Sequence, residues 1–234
     1  MNSLKAYLIL LVMGLMSGTL WAQDISLPDP KPPFLRELPA TCSWRIAFLY
    51  DGKEAIDPTG EKAGNDSGLR RVREIQGSKQ GGNRREISIW SNGMLSETWL
   101  YKGYILSSSV GSSDVSVREA NVDYVTPGAY TSGFGQTDFP ELGWLSLKTY
   151  KGLANLEGRP CYVFERASEN GADSVKAFID GKSLRPLMVQ LGKVQRRYTY
   201  DESPVSALTP PPNFIKEMER YQRAMAVTDR HRMP

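Results

Sequence analysis

From residue 42 onward, short stretches of alternating apolar and polar side chains are separated by turn-forming dipeptides. Alternation with period two marks a half-buried strand. It predicts strands over residues 42–50, 69–75, 85–90, 95–101, 104–110, 160–165, 175–179, 187–191 and 194–200, with short ones at 115–117 and 122–125. Asn92-Gly93 is the strongest hairpin signal, and Lys102-Gly103, Asp180-Gly181 and Gly192-Lys193 are further turns. Close-spaced strands and turns argue for an antiparallel meander. The stretches 51–68, 77–83 and 127–140 read as loops, the last a mobile one carrying Tyr130, Phe134 and Phe139; residues 142–150 are mixed.

The pattern changes at both ends. Pro28, Pro30, Pro32, Pro33 and Pro39 make residues 23–41 an extended arm, since proline lacks a donor and fixes φ. After Pro210, Pro211 and Pro212, Asn213 is a candidate N-cap, and Phe214, Met218, Tyr221 and Met225 recur at helical spacing. That predicts one amphipathic helix over 213–226 and a disordered tail over 227–234. The fold class is therefore mainly β (α+β): a curved antiparallel sheet or half-open barrel over 42–212, with a C-terminal amphipathic helix packed on or beside it.

Residues 1–22 have the three-part layout of a secretory signal: Lys5 in a short cationic start, an apolar run over 6–20, and Leu20-Trp21-Ala22 before the cut. The run is broken by Gly14, Ser17 and Gly18 and falls short of the ~20 apolar residues a bilayer span needs. No cysteine follows it closely, which argues against a lipid-anchored precursor. The expected location is the periplasm or the outside of a bacterial cell, with no integral membrane segment after cleavage.

Composition narrows the chemistry. A formal charge of +3 over 234 residues, falling further when Lys5 leaves with the signal, lacks the basic excess of a nucleic-acid binder. The single histidine, His231, argues against His-dependent catalysis and His-rich metal sites. No phosphate loop, spaced CxxC pair or nucleophilic-serine motif is present, so no catalytic residue, metal or cofactor is expected. Glu165, Glu169 and Asp173 surround a hairpin end and read as a solvated turn.

Cys42 and Cys161 are the only cysteines, and an even count in an exported chain invites a disulfide. The competing reading is two separate buried thiols behaving as small hydrophobes. One basic cluster is visible: Arg70, Arg71, Arg73, Lys79, Arg84 and Arg85. It reads either as a contact for anionic lipid head groups or an acidic glycan, or as a solvated hairpin with basic ends. Trp90, Trp99, Trp144, Tyr162, Phe164, Phe178 and Tyr198 are the aromatic candidates for lining a ligand cavity. In Cys161-Tyr162-Val163-Phe164 both faces are apolar, which suits a curved sheet covered by a helix or enclosing a hollow, and suits a filled sandwich core nearly as well.

Residues 157–200 carry a further pattern. Gly158-Arg159-Pro160-Cys161-Tyr162-Val163 forms a strand after a turn. Phe178-Ile179-Asp180 is followed by a turn ending at Pro186, and Tyr198-Thr199-Tyr200 closes the return strand. This layout resembles the C-terminal half of the LolA-like and LolB-like bacterial lipoprotein-carrier superfamily. The resemblance implies a half-open antiparallel barrel with helices at its mouth and an apolar cavity for acyl chains. Members of that superfamily usually begin with an amphipathic helix, where this chain has its proline-rich arm.

The leading functional expectation is a non-enzymatic exported protein that binds an apolar or lipidated ligand, such as lipid or lipoprotein acyl chains, in the hollow of a curved sheet. The alternative is a structural or interaction module of the cell envelope, with a filled core and a protein partner.

Overall fold

The computed structural model describes residues 27–54, 71–109, 112–120, 137–167, 174–203 and 205–232. The signal segment, Arg70, the 122–125 strand and most of the 127–140 loop lie outside those residues. The strands are β1 (Thr41–Tyr50), β2 (Lys53–Glu54), β3 (Val72–Gln80), β4 (Asn83–Trp90), β5 (Leu95–Tyr101), β6 (Tyr104–Ser109), β7 (Ser116–Glu119), β8 (Tyr150–Leu156), β9 (Arg159–Ala167), β10 (Ser174–Asp180), β11 (Pro186–Leu191) and β12 (Val194–Asp201). A 3-10 turn spans Pro140–Leu142, and helix α1 runs Pro212–Arg232.

These strands form one sheet that does not close, in the order β7-β6-β5-β4-β3-β1-β12-β11-β10-β9-β8, with β2 beside β1. Each half is the expected meander. β1 joins them, pairing antiparallel with β12 (Ile46 opposite Tyr198) and with β3 (Ile46 opposite Ile75). That seam brings together residues about 150 positions apart, beyond the reach of any local hairpin signal.

The two sides of the sheet carry separate apolar clusters. Alternation along β1 turns Cys42, Trp44, Ile46 and Phe48 to one face, where they pack with Ile75, Tyr162, Phe164, Ala177, Ile179, Val189 and Tyr198. Arm residue Leu38 and, at the 3-10 turn, Phe139 and Leu142 complete that cluster. Trp99 and Leu106, in register on β5 and β6, belong to a second cluster with Phe214 and Met218 of α1. Strand register from Trp44 through Gly77, Glu86 and Thr98 places Trp99 on the opposite side from Trp44. The arm therefore covers one face, from the central β1–β12 pair to β9, and the helix covers the other, at the β5–β7 end.

Four expectations need correction. The 77–83 loop is largely strand: β3 continues to Gln80, and Gly77 is required because a Cβ there would overlap the Trp44 ring. Residues 150–156 form edge strand β8, hidden from pattern reading by Gly152 at φ +133° and by an apolar side, Leu153, that stays partly exposed. α1 runs on to Arg232, so residues 227–232 belong to the helix rather than to the expected tail. Cys42 and Cys161 are both buried and are not bonded to each other. Three strands separate β1 from β9, and the Cys161 thiol donates instead to the Ala154 carbonyl at 3.3 Å.

Candidate functional site

The aromatic face under the arm is the candidate site. Tyr162 and Phe164 (β9) and Tyr198 (β12) all point into it, and Trp144, after the 3-10 turn, packs against its edge. The arm lies over these side chains as a strap: Leu27, Phe34 and Leu35 pack on the cluster and Leu38 is part of it. Phe34 meets Phe164 edge-on with centroids 5.4 Å apart. The Tyr162 hydroxyl donates to the Pro28 carbonyl at 2.9 Å, and the Arg36 N–H to the Leu184 carbonyl at 2.9 Å. Proline-rich backbone offers few donors, so these anchors come from side chains and a few amides.

The strap is latched at one end by a buried ion cluster. Asp138 Oδ2 accepts the Leu38 N–H at 2.7 Å, and both Asp138 oxygens accept Lys79 Nζ at 2.9 and 2.8 Å. Arg84 Nη1 reaches Asp138 Oδ1 at 3.3 Å, and its Nε and Nη2 donate to Glu86 Oε1 at 3.2 and 2.9 Å. The Arg84 guanidinium also lies 4.5 Å above the Trp44 ring. In return, the Asp138 N–H donates to Glu37 Oε2 at 2.8 Å, which fixes the arm from its own side.

Burial by itself pushes the Asp138 carboxyl up, but its hydrogen bonds with Glu37, Lys79 and the Leu38 amide outweigh that and hold it below the usual range. Glu37 goes the other way, raised by burial and by its hydrogen bond to Asp138. Glu86 is also raised by burial, in spite of Arg84, and its Oε2 has no hydrogen-bond partner.

The other cavity candidates are dispersed. Trp99 lies in the second cluster under α1, its Nε1 donating to Glu97 Oε1 at 3.0 Å. Trp90, at the end of β4, donates to Ser96 Oγ at 3.1 Å. Phe178 sits on the far face, opposite Met188 in the β10–β11 register. Strand alternation also divides the basic residues. Lys79 and Arg84 are drawn into the ion cluster, whereas Arg85 lies on the helix side, bonded to Glu97 at 2.6 Å and stacked 5.4 Å from Trp99. Arg71 rests 4.9 Å from the Tyr50 ring, and Arg73 is half-buried on β3. Among the described residues, the basic cluster is therefore divided between the two sides of the sheet.

Glu37, Glu86 and Asp138 were not singled out by the sequence; no local motif marks them, because their partners come from three separate segments. Burial raises both thiols, the wrong direction for a nucleophile. Among the described residues, no group of three or more His, Cys, Asp or Glu is placed to hold a metal, and no helix is long and apolar enough to cross a membrane.

No protein-family profile matches the chain, and no curated protein matches it in sequence. Solved structures with a similar strand arrangement include the Mycobacterium tuberculosis lipoprotein LppX, at 9% identity and TM-score 0.38, covering 71% of this chain and 88% of LppX. The LolA superfamily protein NE2245 from Nitrosomonas europaea is similar at 9% identity and TM-score 0.31, covering 74% of this chain and 90% of that one. MucB, solved in complex with MucA(peri), is similar at 11% identity and TM-score 0.28, covering 74% of this chain and 55% of MucB. The superfamily that residues 157–200 resemble is thus among the matches.

Proposed function

We propose that this chain is an exported, non-enzymatic protein of the bacterial cell envelope that binds an apolar or lipidated ligand on the aromatic face of its open sheet. The observation that carries this reading is the cover on that face. A second sheet would seal such a core permanently; here a proline-rich strap and a 3-10 turn lie over Trp44, Tyr162, Phe164 and Tyr198 instead. A strap held by one ion cluster, a few hydrogen bonds and the packing of Leu27, Phe34, Leu35 and Leu38 opens without unpairing any strand. Its displacement would expose a trough of aromatic and branched side chains suited to acyl chains. A photoactivatable fatty acid mixed with the purified protein tests this. Labels concentrated on β9, β12 and the 3-10 turn support the reading, and labels scattered over the surface reject it.

The ion cluster favours a second reading. A strap fixed by Asp138, Lys79, Arg84 and Glu37 suits a filled core whose role is to hold a protein partner in the envelope. Crosslinking in cells separates the two: a single stable protein adduct through the arm or a sheet edge supports the interaction module, and lipid adducts support the carrier.

A further inference from the structure

The face turned away from the strap holds a cavity of about 300 Å³. β1 contributes Arg45 and Ala47, and β12 contributes Arg197, Tyr198 and Thr199; Arg45 and Ala47 alternate with strap-side Trp44 and Ile46, and Arg197 and Thr199 flank Tyr198, whose ring belongs to the strap-side cluster. Leu187 enters at the β10–β11 bulge, and Leu156, Glu157 and Arg159 come from the β8–β9 turn.

Three arginines, each with a side chain about half exposed, thus border one open pocket, and an acid braces each. Arg45 Nη2 bonds Glu74 Oε2 at 2.5 Å, Arg159 Nε and Nη2 bond Asp180 Oδ2 at 3.0 and 2.6 Å, and Arg197 Nη1 bonds Glu157 Oε1 at 2.5 Å. A guanidinium has five N–H donors, so each brace orients the group and leaves donors for a ligand. The braces differ in kind. Glu74 and Asp180 are buried and fixed, whereas Glu157 is 68% exposed on a two-residue turn and is easily displaced. Ala47, Leu156 and Leu187 give the cavity an apolar part, and Leu187 is itself buried.

We propose that this cavity binds a small organic phosphate, its oxygens taken by Arg45, Arg159 and Arg197 and its carbon portion against Ala47, Leu156 and Leu187, with Glu157 leaving Arg197 as the ligand enters. Guanidinium and phosphate form charge-assisted, two-pronged hydrogen bonds, which a carboxylate-braced arginine is oriented to make. The site lies on the opposite side of the sheet from the strap and does not depend on the lipid reading.

Calorimetric titration of the full-length protein with butyl phosphate tests it. The expected result is saturable 1:1 binding that Arg197→Gln weakens by about tenfold or more, that Arg45→Gln weakens similarly, and that Glu157→Gln tightens by removing a competing anion. Opposite effects from two partners of one ion pair are not produced by misfolding, and exposed Arg118→Gln on β7 serves as the charge-matched control. A parallel titration with dihexanoyl phosphatidic acid separates the sources: tighter Arg197-dependent binding assigns a lipid head group, and equal or weaker binding assigns a free phosphate ester. Absence of saturation at about 10 mM, or equal affinity for wild type and Arg197→Gln, overturns the proposal.

Discussion

Leu38 and Asp138 lie 100 positions apart, yet the Leu38 N–H donates to Asp138 Oδ2 at 2.7 Å. That bond ties the arm to the segment before the 3-10 turn, and Lys79 and Arg84 tie the same carboxylate to β3 and β4. Asp138→Asn removes the charge that both cations share in a buried place. Losing one partner of a buried pair costs about 3–5 kcal/mol. The variant is expected to unfold at lower denaturant and to be cut earlier by trypsin after exposed Arg36, whereas Lys31 is protected by the proline that follows it. Unchanged stability together with unchanged cleavage would show that Asp138 does not latch the strap.

Gly77 faces the Trp44 ring across the β1–β3 ladder. Gly77→Ala forces that ring away from Arg84 and from the core. The expected cost is about 1–3 kcal/mol, in the range for overpacking a filled core. A shift in tryptophan emission should accompany it, and a variant as stable as wild type with the same spectrum contradicts the packing described.

Asp180 closes the β10–β11 turn. Its Oδ1 accepts the N–H groups of Lys182 and Ser183 at 3.1 and 2.6 Å, and its Oδ2 holds Arg159. Burial pushes this carboxyl up, but the bonds from Ser183 and Arg159 prevail and set it below the usual range. A group lowered on folding stabilises fully above its unfolded pKa, about 4, and loses that contribution as pH falls through its folded value. Asp180→Ala should therefore cost about 1–3 kcal/mol at neutral pH and flatten the acid limb of the stability profile below about pH 4. Parallel acid limbs for variant and wild type would contradict this.

The two thiols give a chemical check. Both are buried, unbonded and raised by burial. Iodoacetamide should leave the native protein unmodified and add two groups after unfolding without reductant. A product two hydrogen atoms lighter that blocks alkylation would instead show a Cys42–Cys161 bond.

Much of this architecture was legible beforehand. Alternation gave β1, β4, β5, β6, β9, β10, β11 and β12 nearly to their ends, and Asn92-Gly93 turns the chain where expected, with Gly93 at φ +77°. What local pattern could not supply was the pairing of β1 with β12, or the assignment of Trp99 and Trp144 to different sides of the sheet. Both depend on register accumulated across strands distant in sequence. The ion cluster was illegible for the same reason. Lys79 and Arg84 looked like members of one basic run until the fold placed Asp138 and Glu86 against them.

The central claim, an apolar ligand beneath the strap, is tested most directly by extracting lipid from freshly purified full-length protein for mass spectrometry while titrating a second sample with a fluorescent fatty acid. The account predicts a co-purifying apolar or acylated molecule and saturable probe binding, strengthened in Asp138→Asn because the strap opens more readily. Protein that emerges empty, with no probe binding by wild type or by Asp138→Asn, would contradict it.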